Sequence, residues 1–268
     1  MRLDRPVLAS LLLLTAQHSL AVESLRCVGS PFPYIYSEDG GQLRGVAVEV
    51  LDALGKEAQF RCRFEIMPWK RAQALVNNGD ADLLIGPYRT RERSAAMRFL
   101  SLPFYLDAML LYARSTPPLP DWNGDFSSLA GRRIGVAAGW SLGERYEQAK
   151  SSLALDEANT LEQTFRKLML DRVDLVASNQ RNAMVVIQQL GLAGQVLALQ
   201  PPLQQSGGYF ALANKWRDHP LWTRMNAAQE RMVRSGRVQA ISAKHGLQFP
   251  GANHDWAAYL RQEMQPAS

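Results

Sequence analysis

The stretch DAMLLYARSTPPLP, residues 107–120, marks the position at which the chain passes from one folding unit to another. Its first eight residues form an apolar run typical of a strand, and the Pro-Pro-Leu-Pro that follows is a stiff connector. A second apolar run, YFALA at 209–213, follows Ser206-Gly207-Gly208 and predicts a strand that returns to the first unit. The chain is therefore expected to form a first lobe from residues 22–110 and 209–268 and an inserted second lobe from residues 111–208.

On both sides of this stretch, short strand-like runs alternate with helix-like runs, a pattern typical of an α/β fold with largely parallel sheets. Residues 60–66 alternate apolar and charged side chains, the two-residue period of a half-buried strand. Thr160 followed by Gln163 predicts a capped helix start. Strands are predicted at 25–29, 60–66, 81–85, 107–114, 133–138, 173–177 and 209–213, and helices at 45–58, 68–77, 143–150, 160–170, 181–190 and 219–246.

The N-terminal residues 1–21 have the features of a secretory signal peptide. Arg2 and Arg5 precede an apolar run at 6–16, and Ser19-Leu20-Ala21 matches the small-x-small cleavage pattern. A membrane-spanning helix would need about 20 consecutive apolar residues, more than this run provides. We therefore expect cleavage near Ala21 and a mature protein located in the periplasm.

Composition limits the classes of partner. The formal net charge is +5, with acidic and basic residues interspersed rather than clustered, so we expect no nucleic-acid partner. The four histidines have no metal-ligand spacing, and we expect no metal and no cofactor. Only Cys27 and Cys62 are present, and the sequence leaves open whether they form a disulfide in an oxidising compartment or stay two buried thiols.

Six short segments occur in the order found in a known protein family. They are PYIY at 33–36 with GVAVE at 45–49, NGDAD at 78–82, TRER at 90–93, FLSLPF at 99–104, LAGRRIGV at 129–136, and the C-terminal helices. In these the chain resembles the family-three periplasmic solute-binding proteins, which include polar amino-acid receptors of ABC transporters. The resemblance implies a two-lobed α/β fold with discontinuous lobes joined by a two-stranded hinge, which closes around a small molecule. It also implies delivery to a membrane permease, and we expect a monomer.

The resemblance assigns ligand-binding residues in the first lobe. Arg93, which ends the Thr-x-x-Arg segment, matches the arginine that binds the ligand carboxylate, and its guanidinium offers two parallel donors. The other matching positions are Gly86 and Tyr88 in the preceding loop and the aromatic residues Phe32, Tyr34 and Trp69. Each aromatic residue has the alternative interpretation of a core side chain.

In the second lobe, Gly139, Trp140 and Ser141 match a segment at a helix start, where free N–H groups receive an anionic group. Trp140 replaces the small hydroxyl residue usual in the family. Asn179 stands where amino-acid receptors have the aspartate that pairs with the ligand's α-ammonium. Since an amide cannot balance a buried positive charge, the sequence indicates a small polar, carboxylate-bearing solute in general, of amino-acid-like character.

Three other functions remain open at this point. GWSLG at 139–143 matches the nucleophile motif of serine hydrolases, with Ser141 as the nucleophile, although no HGGG-type segment precedes it. The acids and histidines that would complete such a triad are Asp156, Asp174, His219, His245 and His254. A few relatives that share this fold act as dehydratases. That activity would need an acidic residue in the cleft, and Glu49 or Glu92 would be the candidate. A third alternative is a sensing subunit that presents its closed form to a membrane receptor. We expect no enzymatic activity.

Overall fold

The protein, examined as a computed structural model that describes residues 22–263, has a mixed α/β fold with two lobes. The predicted signal peptide at 1–21 lies outside the described residues. The strands are β1 (Glu23–Gly29), β2 (Ser37–Asp39), β3 (Gln42–Arg44), β4 (Phe60–Ile66), β5 (Leu83–Tyr88), β6 (Met97–Phe99), β7 (Tyr105–Arg114), β8 (Arg133–Ala137), β9 (Ala154–Ala158), β10 (Leu175–Asn179), β11 (Val196–Ala198) and β12 (Gln204–Ala213). The helices are α1 (Val46–Ala58), α2 (Trp69–Asn77), α3 (Arg91–Ala96), α4 (Glu144–Ala149), α5 (Leu161–Met169), α6 (Gln180–Gln189), α7 (Pro220–Arg234), α8 (Arg237–Lys244) and α9 (Trp256–Glu263).

One twisted sheet runs through both lobes, in the order β4-β1-β5-β12-β7-β10-β8-β9, with β6 and β11 beside it. β1 is parallel to β4 and β5 in the first lobe, and β8 is parallel to β9 and β10 in the second. Every antiparallel pair of this sheet includes β7 or β12. The sheets are thus parallel within the lobes, as expected, and antiparallel where the lobes join.

β7 and β12 form the two-stranded hinge. β12 pairs with β7 through residues 204–208 and with β5 through residues 208–212. β7 in turn pairs with β10 of the second lobe through residues 109–112. β12 therefore connects to the strands of the first lobe and β7 to those of the second, and their mutual pairing joins the two halves of the sheet. The predicted lobe boundaries at 110 and 209 fall within these strands and stay a prediction.

Local sequence explains several element ends. Thr160 caps α5 by accepting a hydrogen bond from the Gln163 N–H, as predicted, whereas the Gln163 side chain accepts from Asn159. The helical stretch predicted at 219–246 consists of two helices, α7 and α8, because Gly236 adopts a left-handed conformation (φ 77°) between them. Gly236 satisfies this turn without the strain that a side chain would bring.

Cys27 and Cys62 form a disulfide, with their Cα atoms 5.6 Å apart. The two residues lie on the adjacent parallel strands β1 and β4, where Leu25 is the direct partner of Cys62. The alternative of two free thiols is therefore wrong. Within residues 22–263, no helix combines the length and apolar character that a bilayer crossing requires.

Candidate functional site

A cavity of about 20 Å³ lies between the two lobes beside the hinge. A single buried water needs about 10–15 Å³, so the lobes are close together in this conformation. The cavity is lined by Phe32, Trp69, Gly86, Tyr88, Arg93, Tyr105, Trp140, Ser141 and Asn179. All of these except Tyr105 were selected from the sequence. Residues far apart in the chain are thus brought together from both lobes.

Arg93 is a buried cation on the first-lobe side of the cavity. The Thr90 hydroxyl oxygen accepts from the Arg93 N–H and caps α3, which fixes the start of this short helix. The residue is 7% exposed, and its guanidinium donates from Nη1 to the Tyr88 carbonyl oxygen at 3.1 Å and lies 5.6 Å from the Trp69 ring centroid. Burial disfavours the charged form and lowers the pKa of Arg93.

No carboxylate lies within 4.0 Å of the Arg93 guanidinium among residues 22–263, because none of the ion pairs there includes Arg93. Buried charges in proteins are normally paired, since desolvation of an isolated charge is costly. A guanidinium in such a position is suited to bind an anion with two parallel hydrogen bonds.

Aromatic side chains from both lobes form the walls. The Phe32 ring centroid lies 5.6 Å from Trp69 of the first lobe and 6.4 Å from Trp140 of the second. Tyr88 and Tyr105 meet edge to face on the hinge side, 6.2 Å apart. Such surfaces suit the flat or apolar part of a ligand.

Tyr105 was not predicted as a site residue, because in the sequence it is one of several apolar residues before a predicted strand. Its hydroxyl donates to the Gly86 carbonyl oxygen at 2.7 Å, and the buried ring lies directly against Gly208 of β12. A Cβ at position 208 would lie 1.8 Å from the ring atom Cε1 of Tyr105. The glycine therefore makes room for this wall of the cavity.

The second-lobe segment 139–141 lies in the loop before α4. Gly143 is the N-cap of α4, so residues 139–141 directly precede the helix start. Trp140 and Ser141 line the cavity. The Ser141 hydroxyl oxygen accepts from the Gly143 N–H at 3.2 Å, which leaves its own hydrogen to donate.

Two of the selected residues lie outside the cavity. Gly139 is exposed and lines an adjoining opening of about 370 Å³, where a Cβ would come 2.9 Å from Cε of Lys70. Tyr34 has a left-handed backbone (φ 66°), is 52% exposed and lines a groove on the other side of the hinge with Met184. Tyr34 is thus outside the lining of the cavity in this conformation, and its contact with a ligand stays a prediction.

Asn179 ends β10 and caps α6. Its Oδ1 accepts from the Asn182 N–H at 2.9 Å, and the residue is 2% exposed. The side chain thus has a structural role in addition to lining the cavity.

A buried ion pair, which we call the hinge pair, joins Asp107 of β7 to Arg181 of α6. Arg181 donates from Nη2 to Oδ2 at 2.7 Å and from Nε to Oδ1 at 3.2 Å. The Tyr88 hydroxyl also donates to Oδ2, at 2.7 Å, and Arg181 Nη1 donates to the Pro33 carbonyl oxygen at 3.0 Å. Burial is the largest single influence and lowers the pKa of Arg181, but the Asp107 charge and hydrogen bond, together with Tyr88 and Tyr105, outweigh it, so this pKa is raised above its usual value. The pair ties both lobes to the hinge.

The groups that a hydrolase would need are dispersed. No histidine lines the cavity within residues 22–263. Each of the candidate triad partners has other contacts: His219 caps α7, His245 bonds to Glu49, His254 lies against Trp256, and Asp156 and Asp174 pair with Lys167 and Arg133. Glu49 and the exposed Glu92 also lie outside the cavity lining.

Comparisons with known proteins identify the family and the fold. The family described as bacterial extracellular solute-binding proteins, family 3, has a sequence model that matches residues 26–248. A "Probable histidine-binding protein" of Neisseria gonorrhoeae is 29% identical over 80 residues, which span 30% of this chain and 30% of that protein. The matched part is thus less than a third of this curated relative.

Solved structures share the two-lobed fold. A histidine kinase sensor domain with similarity to periplasmic binding proteins superposes with a TM-score of 0.71 at 19% identity, covering 85% of this chain and 99% of that one. The arginine-, lysine-, histidine-binding protein ArtJ of Geobacillus stearothermophilus gives 0.67 at 18% identity, covering 84% and 96%. These likenesses establish the fold.

Proposed function

This chain belongs to the bacterial extracellular solute-binding proteins, family 3, and from that premise we propose that it captures a small polar solute carrying a carboxylate between its lobes for ABC-type import. The observation that carries the proposal is the buried Arg93 guanidinium, which faces a cavity between the lobes and forms no ion pair within residues 22–263. A ligand carboxylate would supply the missing negative charge and the bidentate hydrogen bonds.

In the proposed mechanism, Arg93 fixes the carboxylate on the first lobe. Closure then brings Trp140, Ser141 and Asn179 of the second lobe onto the other side of the ligand, with residues 22–110 and 209–268 moving against 111–208. The measured affinity reports the free-energy difference between the open and closed states as well as the ligand contacts. Gly86 and Tyr88 shape the cavity through their contacts with Tyr105 and Arg93.

We place the protein in the periplasm, as a monomer that binds rather than converts its ligand and presents its closed form to a membrane permease. The family description names extracellular proteins, and the sequence of residues 1–21 has signal-peptide features. Because the names of similar proteins include histidine and arginine binding, amino acids belong in any first ligand screen.

The test is a thermal-shift screen of amino acids, organic acids and polyamines, followed by calorimetry of the best carboxylate with the Arg93→Ala variant. A ligand at 100 times its Kd stabilises the native state by about 2.7 kcal/mol, which a thermal shift detects. We expect Arg93→Ala to weaken binding by about 2–5 kcal/mol, because a desolvated charge pair is lost.

Arg61→Ala is the matched control, because Arg61 is an exposed arginine of β4 and its removal changes the net charge equally. It should leave the affinity unchanged. If Arg93→Ala is folded and binds the carboxylate as tightly as the wild type, Arg93 is not the carboxylate site.

Sensing is a second candidate function, favoured by the overlap with a histidine kinase sensor domain over 99% of that domain. The two functions differ in the membrane partner that the loaded protein engages. Ligand uptake by cells that depends on this protein supports import, whereas a ligand-dependent kinase response without uptake supports sensing.

A further inference from the structure

We propose that the cavity selects carboxylates that have no ammonium group on the neighbouring carbon, that is, organic acids with a flat or apolar body rather than α-amino acids. The inference rests on the proposed function, since it assumes that Arg93 binds a carboxylate. It narrows that function to one chemical class of ligand.

The charge balance of the cavity is the first argument. Arg93 is the one charged residue of the cavity lining, and this lining contains no acidic residue. A monoanion brings the site to neutrality. A zwitterionic α-amino acid would neutralise Arg93 with its carboxylate and leave its own ammonium as an uncompensated buried charge, which is strongly unfavourable.

Asp107, the acidic residue of the hinge pair, is already bonded to other groups of the protein. Asp107 accepts from Arg181 at both carboxylate oxygens and from the Tyr88 hydroxyl at Oδ2. Its side chain is 4% exposed, and it is absent from the cavity lining. If Asp107 moved to pair with a ligand ammonium, the buried Arg181 would lose its counter-charge. The free-energy cost of that loss makes Asp107 unsuitable as a partner for the ligand.

The neutral acceptor atoms of the lining are engaged as well. The Gly86 carbonyl oxygen accepts from Tyr105, the Tyr88 carbonyl oxygen from Arg93, and Asn179 Oδ1 from the Asn182 N–H. Ser141 Oγ accepts from the Gly143 N–H. Each of these oxygens keeps a second lone pair that an ammonium could use, but a neutral acceptor supplies no negative charge to balance a buried cation.

The aromatic walls do not replace an acid. The Arg93 guanidinium already lies 5.6 Å from the Trp69 ring and that of Arg181 5.3 Å from the Tyr105 ring. Both rings thus already have a cation beside them, and a neutral ring supplies no negative charge that would balance a ligand ammonium. The same rings suit a flat apolar body that carries no charge.

The proposed selectivity applies only to an ammonium group on the α-carbon of the ligand. Glu92 and Glu147 line the adjoining opening together with Lys70 and Lys150. In the proposed pose the carboxylate meets Arg93 inside the cavity, and an α-ammonium, which is bonded to the carbon that carries the carboxylate, would lie inside the cavity with it. A polar group further along the ligand would lie in the opening, which shares Arg93, Trp140 and Ser141 with the cavity.

Matched pairs of ligands test this inference on the mature wild-type protein. Calorimetry compares propionate with L-alanine, 3-phenylpropionate with L-phenylalanine, and glutarate with L-glutamate, each pair differing only in the α-ammonium. We expect the acid to bind at least about tenfold tighter than its amino acid in the pair that fits the cavity best, a difference that calorimetry resolves.

The outcomes separate this inference from the function on which it rests. If an amino acid binds as tightly as its deaminated partner or tighter, and Arg93→Ala abolishes that binding, the inference is overturned and the carboxylate site stands. If no carboxylate of the panel binds, both are overturned.

An Asn179→Asp variant gives a second measurement. Aspartate caps a helix as well as asparagine does, so α6 should keep its start, while the cavity gains a negative charge. We expect the affinity ratio to shift toward the amino acid by about tenfold or more. Asn159→Asp, an exposed change of the same charge, should leave the ratio unaltered. An unchanged ratio in Asn179→Asp would contradict the charge argument.

Discussion

Gly208 is the residue whose lack of a side chain most directly shapes the cavity. A Cβ there would overlap the Tyr105 ring, which the hydrogen bond to Gly86 holds in place. We expect Gly208→Ala to lower the free energy of unfolding by about 1–3 kcal/mol, as overpacking does, and to weaken ligand binding by displacing the ring. Urea denaturation and calorimetry measure the two effects.

Gly251→Ala is the matched control, because a Cβ at 251 would meet only the end of the flexible Gln239 side chain, at 3.3 Å. Its stability should stay close to that of the wild type. Equal stabilities of the two alanine variants would show that the Tyr105 ring moves aside without cost.

At the residue scale, the sequence revealed functional candidates that belong to recognisable segments. Arg93 ends such a segment, and the structure places it at the cavity. Tyr105 and the hinge pair were not found, because their importance lies in contacts between residues far apart in the chain, Asp107 with Arg181 and Tyr105 with Gly208. Local patterns carry no information about such contacts.

At the element scale, the C-terminal helix α9 is attached to the hinge strand β12 through Glu263. This buried carboxylate accepts from the Gly207 N–H at 3.0 Å and from the hydroxyls of Tyr259 and Tyr209. Burial raises the pKa of Glu263, and the three donated hydrogen bonds offset only part of that effect. The helix thus covers the strand on which the lobes turn.

The raised pKa predicts a pH dependence of stability. The folded protein holds the Glu263 proton more tightly than the unfolded chain, so this stabilising contribution is complete below the ordinary glutamate pKa and is lost as the pH rises through the raised value. We expect Glu263→Gln, which has no proton to lose, to gain stability relative to the wild type between about pH 4 and pH 7. Urea denaturation across that interval measures the difference, and parallel curves would refute the prediction.

Elements with clear periodicity were predicted with nearly correct limits, as α1 and β4 illustrate. The break at Gly236 was missed because the apolar spacing continues from α7 into α8 while the backbone does not. α9 was missed because its buried face, including Trp256 and Tyr259, depends on packing against β12, which no local pattern encodes.

At the scale of the whole molecule, the hinge pair holds the lobes in their relative positions. Removing the charge of Asp107 leaves Arg181 buried without a counter-ion, because both side chains are less than 10% exposed. We expect Asp107→Asn to lower the free energy of unfolding by about 3–5 kcal/mol. Chemical denaturation provides the measurement.

Asp171→Asn serves as the control, because Asp171 forms an exposed pair with Arg114 and asparagine tolerates its left-handed backbone. That change should cost less than about 1 kcal/mol. A similar loss of unfolding free energy in both variants would mean that burial does not increase the contribution of the hinge pair to stability.

The two-lobed architecture was predicted from the run at 107–120 and the return at 209–213, and the fold agrees. The continuous sheet was not foreseen, because the sequence shows where a strand lies but not that β7 and β12 pair with each other and so join the two halves. Register of this kind depends on the packed faces of both halves.

The two pairings of β12 also constrain the order of assembly. β5 emerges early in synthesis, yet the neighbour on one of its sides, β12, emerges only after the whole inserted lobe. Pairings between distant segments close slowly, and an open strand edge invites aggregation in the meantime. The contiguous second lobe is therefore the half that can acquire its structure first. The first lobe keeps an unpaired edge at β5 until β12 has been made.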